Sequence, residues 1–155
     1  DIPAYTLLSK DYKTSREYED ELIFILEKHD VDLVVLAGFI KVLSPYFVSK
    51  FTRKIVNIHP SLIPSFCGRG FYGKKVHEAV IEYGVKITGV TVHFVDEGTD
   101  TGPIILQRAV PVKDDDTPDT LAARVLIEEH KIYPEALKLY AEDRLIIKGR
   151  RVLIK

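Results

Sequence analysis

The chain has 155 residues, enough for one domain with a sizeable core. Lys and Arg number 22 against 23 Asp and Glu, a balance that argues against a dedicated nucleic-acid or anionic-membrane binder. Its one cysteine, Cys67, excludes an internal disulfide and a thiol-rich metal site. No apolar run approaches the roughly 18 residues of a membrane span. A cytoplasmic location is expected.

In chain order, the opening DIPAYTLL is rich in strand-like residues. Thr14-Ser-Arg-Glu17 is a capping box followed by Leu22, Ile23, Ile25 and Leu26, which predicts a helix from about Ser15 to His29. Asp32 to Ala37 is a continuous apolar run of the kind found in buried parallel strands. Ser44-Pro45 opens a short helix to about Phe51. Lys54 to Ile58 reads as the next strand. After a loop, a helix is predicted from about Gly73 to Tyr83, closed by Gly84. Lys86 to Val95 and Ile104 to Val112 are strands joined by a turn-rich loop. Gly89 interrupts the first of them, the mark of a close approach. Thr117-Pro118 starts a long helix that Pro134 is expected to kink or divide, its second part ending near Glu142. Arg144-Leu-Ile-Ile and Arg151-Val-Leu-Ile flank Lys148-Gly149 and predict a terminal hairpin. Alternating helices and strands followed by an antiparallel end indicate an α/β fold with a mixed sheet.

Two absences carry information. The chain contains no methionine, and strand-like residues begin almost at once, so a segment is expected to precede Asp1. Asn57 is the only asparagine and Gln107 the only glutamine. Such depletion, with abundant Lys, Glu and Ile, resembles the composition of thermophilic proteins.

Gly68-x-Gly70-x-x-Gly73 matches the dinucleotide-binding fingerprint letter for letter. That fingerprint needs its first glycine directly after a strand. Here Pro60 and Pro64 separate it from the strand ending near Ile58. A surface loop needing positive φ at a few positions is the expected reading. Ser61 lacks the flanking glycines of a nucleophile elbow. His77 and His130 are expected on helix faces, and the histidine spacing does not suit zinc.

Asn57-Ile-His59 lies at the carboxyl end of a predicted strand, where α/β sheets bind ligands. Residues two apart on a strand share a face. An amide that can donate to a developing oxyanion therefore accompanies an imidazole suited to acid–base work near neutral pH. Asp100, in the loop Asp96-Glu-Gly-Thr-Asp-Thr-Gly102, could supply a carboxylate that favours the imidazolium. From spacing alone a bland reading also stands: a hydrogen-bonded strand-end His and a turn-forming Asp.

Asn57-Ile-His-Pro-Ser-Leu-Ile-Pro64 followed by Asp96-Glu-Gly-Thr-Asp-Thr-Gly-Pro103 resembles the folate-dependent formyltransferases. Leu36-Ala-Gly-Phe39, Val90-Thr-Val-His-Phe94, Pro103-Ile-Ile-Leu-Gln107 and Glu129-His-Lys-Ile-Tyr-Pro134 extend the resemblance over essentially the whole chain. The most similar branch formylates glycinamide ribonucleotide in purine synthesis. The resemblance implies one formyltransferase domain over residues 1–155, with a Rossmann-like mixed sheet and helices on both faces. It also implies that the family's amino-terminal strand and phosphate-holding loop are missing. The expected co-substrate is 10-formyltetrahydrofolate, with no metal, and the expected partners are small molecules only, in a monomer or homodimer.

The same resemblance assigns roles. Asn57 would donate to the tetrahedral oxyanion, His59 would stabilise it as imidazolium and act as acid, and Asp100 would hold the His charge and aid proton transfer through water. Ile40, Lys41, Val42 and Leu43 would border the pterin, with Arg16 near the folate and Val95, Asp96 and Asp100 closing the other side. Pro60 and Glu129 would meet the nucleotide substrate. Lys41 stands where some relatives carry Arg, and Leu126 where some carry Gln. Without the phosphate loop, these residues alone are expected to be inactive or nearly so. The alternatives are a formyltetrahydrofolate deformylase, in which His often stands at the position of Pro60, and a non-catalytic folate-binding module.

Overall fold

A computed structural model describes residues 2–155. A single 3-10 turn, Ser9–Asp11, precedes helix α1, Ser15–Lys28. Then follow β1 (Val34–Leu36), α2 (Pro45–Lys50), β2 (Ile55–His59), α3 (Lys74–Tyr83), β3 (Ile87–Phe94) and β4 (Ile104–Pro111). Helix α4 (Pro118–Ala141) and a hairpin of β5 (Leu145–Lys148) and β6 (Arg151–Ile154) end the chain. Among the described residues, no helix is long and apolar enough to cross a membrane.

The helix starts are built by their caps. Thr14 Oγ1 accepts from the Glu17 amide at 3.1 Å, and Glu17 accepts from the Lys13 amide at 2.9 Å. Ser44 caps α2 through the Phe47 amide, and its own amide and hydroxyl donate to the buried Glu19 carboxylate. Thr117 and Thr120 exchange reciprocal bonds at the start of α4. These bonds occupy amide groups that a helix start otherwise leaves unpaired.

Three expectations are narrowed. Helix α4 is not divided at Pro134; it runs through as one element. The proline removes one backbone donor, but Ile132 and Ala136 on either side are each 1% exposed, and their burial holds the turns together. The run Asp32–Ala37 yields the expected parallel strand, but only over Val34–Leu36, and Val35 is 41% exposed. Among the described residues β1 pairs with β2 alone. Residues 2–8 form no strand either.

The six strands run β1-β2-β3-β4-β6-β5. β1 and β2 are parallel, as are β4 and β6, while β2–β3, β3–β4 and β5–β6 are antiparallel. Alternate residues of β2 enter two different cores. Val56 joins Val90, Val92 and Phe94 of β3 against α3 and α4. Ile55 packs on the other side with Ile23, Leu43, Phe47, Val48 and Phe51 from α1, α2 and the segment around them. Helices thus cover both faces. Asp116 and Arg124 pair at 2.6 Å, and Arg124 also donates to the Pro111 carbonyl. This tie fastens α4 to the end of β4, and the Arg124 hydrogen bond holds the Asp116 carboxyl far below the usual range.

Gly89 is where a loop meets the sheet. A Cβ there would lie 2.1 Å from the Arg108 carbonyl oxygen and 2.7 Å from Leu62 Cδ2. Gly89→Ala is therefore expected to destabilise the fold by about 1–3 kcal/mol, measured by urea unfolding. His77 faces inward from α3, 5% exposed, with Nδ1 lacking a partner. Burial, aided by His59, lowers its pKa. A base depressed in the fold binds fewer protons than the unfolded chain. Its contribution is complete above about pH 6.5 and is lost as pH falls below that value. His77→Leu should flatten the loss of unfolding free energy between pH 7 and pH 5, by at most about 1.4 kcal/mol per pH unit.

Candidate functional site

β2 carries Asn57 and His59 on one face, and antiparallel register sets His93 and Thr91 of β3 directly beside them. Asn57 Nδ2 lies 3.4 Å from His93 Nε2, at the long end of the hydrogen-bond range. Asp100 reaches in from the β3–β4 loop. Its Oδ2 is 3.7 Å from His59 Nδ1 and its Oδ1 is 3.7 Å from His93 Nε2. These are ion-pair distances rather than hydrogen bonds. His59 is 4% and His93 2% exposed. Asp100 adopts φ +58°, a left-handed conformation uncommon outside glycine but accessible to Asp.

Backbone carbonyls orient both rings. His93 Nδ1 donates to the Phe94 carbonyl at 2.8 Å, which leaves Nε2 as the acceptor facing Asn57. Burial lowers the His93 pKa; the Phe94 bond and Asp100 oppose that shift. His59 Nε2 donates to the Phe66 carbonyl at 2.9 Å. Its Nδ1 forms no hydrogen bond among the described residues and faces Asp100. A doubly protonated His59 ring would meet an acceptor with each N–H. Asn57, oriented by His93, has a second amide hydrogen that meets no acceptor among the described residues.

The loop after β2 is tied down by side chains from the sheet. Thr91 Oγ1 donates to the Ser61 carbonyl and accepts from the Ile63 amide and Gln107 Nε2. Gln107 also donates to the Ile63 carbonyl at 3.0 Å. Ser61 is fully buried and donates to the Ser65 carbonyl. Gly68, Gly70 and Gly73 have φ of +88°, +92° and +51°, as expected of a loop that needs left-handed turns. The Gly68 amide donates to Asp100 Oδ2 at 2.8 Å. The glycine motif thus touches the site through a main-chain group.

The structure brings Asn57, His59 and Asp100 together and adds His93, to which sequence reasoning assigned no role. The available signal was a histidine in an otherwise apolar strand, opposite Asn57 once strand pairing is set. Most other expected residues line surfaces away from this cluster or beside it. Lys41, Val42 and Leu43 line a cavity of about 170 Å³ with Phe39 and residues of α1, while Ile40 is 72% exposed. Arg16 stacks 3.3 Å above the Tyr46 ring and pairs with Asp20. Val95 and Asp96 border a cavity of about 500 Å³ beside Arg53 and Arg150. This larger cavity is not lined by Asn57, His59 or Asp100, so size is no guide to the chemistry here. Pro60 follows His59, half-buried. Glu129, half-buried on α4, has no hydrogen bond or ion pair among the described residues, and burial raises its pKa against the pull of His130. Tyr133, one turn on, donates to the carbonyls of Leu36 and Val56. Among the described residues no group of His, Cys, Asp and Glu side chains is arranged to hold a metal ion.

Comparison with known proteins agrees with this architecture. A formyl transferase family profile matches residues 1–137. The chloroplastic phosphoribosylglycinamide formyltransferase of Vigna unguiculata is 50% identical over 126 residues, 81% of this chain and 40% of that protein. The phosphoribosylglycinamide formyltransferase of Bacillus subtilis is 39% identical over 137 residues, 88% of this chain and 68% of that one. The crystal structure of glycinamide ribonucleotide transformylase 1 from Symbiobacterium toebii superposes with a TM-score of 0.89 at 45% identity, covering 96% of this chain and 68% of that one. The chain spans well under two thirds of the plant protein's length. With a profile match over most of its residues and the same mixed sheet, the chain belongs to the formyl transferase family.

Proposed function

We propose that this chain carries the catalytic centre of a cytoplasmic enzyme that moves a formyl group from 10-formyltetrahydrofolate to the amine of glycinamide ribonucleotide. The observation that carries the reading is the meeting of Asn57, His59, His93 and Asp100 at the carboxyl end of β2. Relatives named for this reaction support the choice of substrates.

The amine nitrogen attacks the formyl carbon, and the carbonyl electron pair moves onto oxygen. Asn57 Nδ2 donates to that oxygen, with His93 holding the amide in the donating orientation. His59, its Nε2 anchored to the Phe66 carbonyl, offers Nδ1–H beside the same centre. Asp100 offsets the imidazolium charge and takes the amine proton through water. Collapse of the intermediate breaks the bond to the folate nitrogen, which receives a proton from His59. The pterin would be bordered by Ile40, Lys41, Val42 and Leu43, with Arg16, Val95 and Asp96 near the rest of the folate. The unpartnered carboxyl of Glu129 suits a ribose hydroxyl, and Pro60 shapes the same side.

In the full-length enzyme, Asn57→Ala, His59→Ala and Asp100→Ala should each lower kcat by about 10²–10³ while the melting temperature stays close to wild type. Unchanged turnover in His59→Ala would overturn its role as acid. Isothermal titration with a folate analogue and with glycinamide ribonucleotide separates the enzyme from a folate-binding module, which would bind the first and not the second. Protonation of His93 removes the lone pair that Asn57 donates to. Its pKa is depressed, so this loss sets in below about pH 6.5. His93→Gln retains an acceptor that does not titrate, and the acid limb of its pH–rate profile should move to lower pH; His93→Leu should lower kcat at every pH.

A further inference from the structure

Phe66 and Gly68 lie two residues apart, and their main-chain groups point to the two ends of one pair. The Phe66 carbonyl takes the Nε2 proton of His59 at 2.9 Å, and the Gly68 amide grips Asp100 Oδ2 at 2.8 Å. The oxygen gripped by Gly68 is the one 3.7 Å from His59 Nδ1. We infer that Phe66–Gly68 is a main-chain clamp that sets the His59–Asp100 geometry, with Gly68 as a positioning residue. The inference rests on the reading of His59 and Asp100 as catalytic.

The clamp is built from unusual backbone. Phe66 has φ +49° and Gly68 φ +88°, so carbonyl and amide are turned in ways an extended or helical segment cannot match. The Phe66 ring is fixed edge-on against Phe71 at 6.3 Å and Tyr83 at 5.8 Å between centroids, which ties the segment to α3. Farther back, Thr91 and Gln107 hold the carbonyls of Ser61 and Ile63. Both ends of the segment are therefore anchored, and a carboxylate held by a main-chain amide needs no side chain that could rotate away.

A matched pair of substitutions isolates the effect. Gly68 and Gly70 have φ of +88° and +92°, and a Cβ at either would meet nothing within 4 Å. Gly68→Ala and Gly70→Ala thus impose similar backbone strain without a clash, but only Gly68 holds Asp100. In the full-length enzyme, Gly68→Ala keeps the amide but strains its φ of +88° and shifts its aim, and should lower kcat about tenfold or more with both KM values within about twofold. Gly70→Ala should stay within about twofold of wild-type kcat, and Gly68→Asn, which tolerates left-handed backbone, should recover part of the loss. Equal losses in the two alanine variants, no loss in Gly68→Ala, or an effect on KM alone would overturn the clamp. Asp100→Ala is assayed alongside. If it keeps wild-type turnover, the catalytic reading fails; if it is inactive while Gly68→Ala is unimpaired, the clamp alone fails. Amide hydrogen exchange at Gly68 gives a readout without turnover: slow in wild type and faster in Asp100→Ala, with equal rates counting against the clamp.

Discussion

The arrangement at the carboxyl end of β2 depends on where one carboxylate is held. Asp100 sits 12% exposed between two imidazoles, at 3.7 Å from each, and its one close hydrogen bond comes from the Gly68 amide. Burying an ionised group costs stability unless it is paired or hydrogen-bonded. The Gly68 amide supplies that hydrogen bond, and the two rings beside Asp100 are each fixed by a backbone carbonyl. The left-handed φ of Asp100 is the local price of bringing a loop residue to a strand end.

The remaining structure serves to keep these groups still. β2 places an apolar residue in each core, Ile55 on one side and Val56 on the other, so the strand cannot rotate or slip without exposing one of them. Register with β3 then puts His93 beside Asn57. Gly89 lets Leu62 lie against the sheet, and Thr91 with Gln107 satisfies the loop's buried backbone groups. The two histidines have the same type of anchor, a carbonyl on one ring nitrogen, and lie equally far from Asp100, but they use opposite ring nitrogens and only His93 meets Asn57. That contrast leaves His93 Nε2 facing the Asn57 amide and His59 Nδ1 facing the Asp100 carboxyl.

Much of the fold was legible in local signals, because caps, prolines and apolar periodicity act over a few residues. The capping box at Thr14, Ser44-Pro45 and Thr117-Pro118 mark helix starts that the structure contains. Pro134 does not divide the helix, because the local cost of a missing donor is set against the burial of Ile132 and Ala136 around it. The Asp32–Ala37 run marks a parallel strand that the structure contains, shorter than its apolar content, because apolar content does not reveal where pairing stops.

For the candidate site, the sequence alone determined which groups were on offer: an amide and an imidazole two apart, a carboxylate in a glycine-bearing loop, and glycines able to adopt positive φ. Those properties belong to residue types and strand periodicity. Tertiary structure decided which groups meet. His93 enters only through β2–β3 register, and Gly68 and Phe66 act through backbone atoms whose direction depends on φ, not on the letter in the sequence. A main-chain donor has no residue-type signature, so the link between the glycine motif and Asp100 emerges only when the chain is folded.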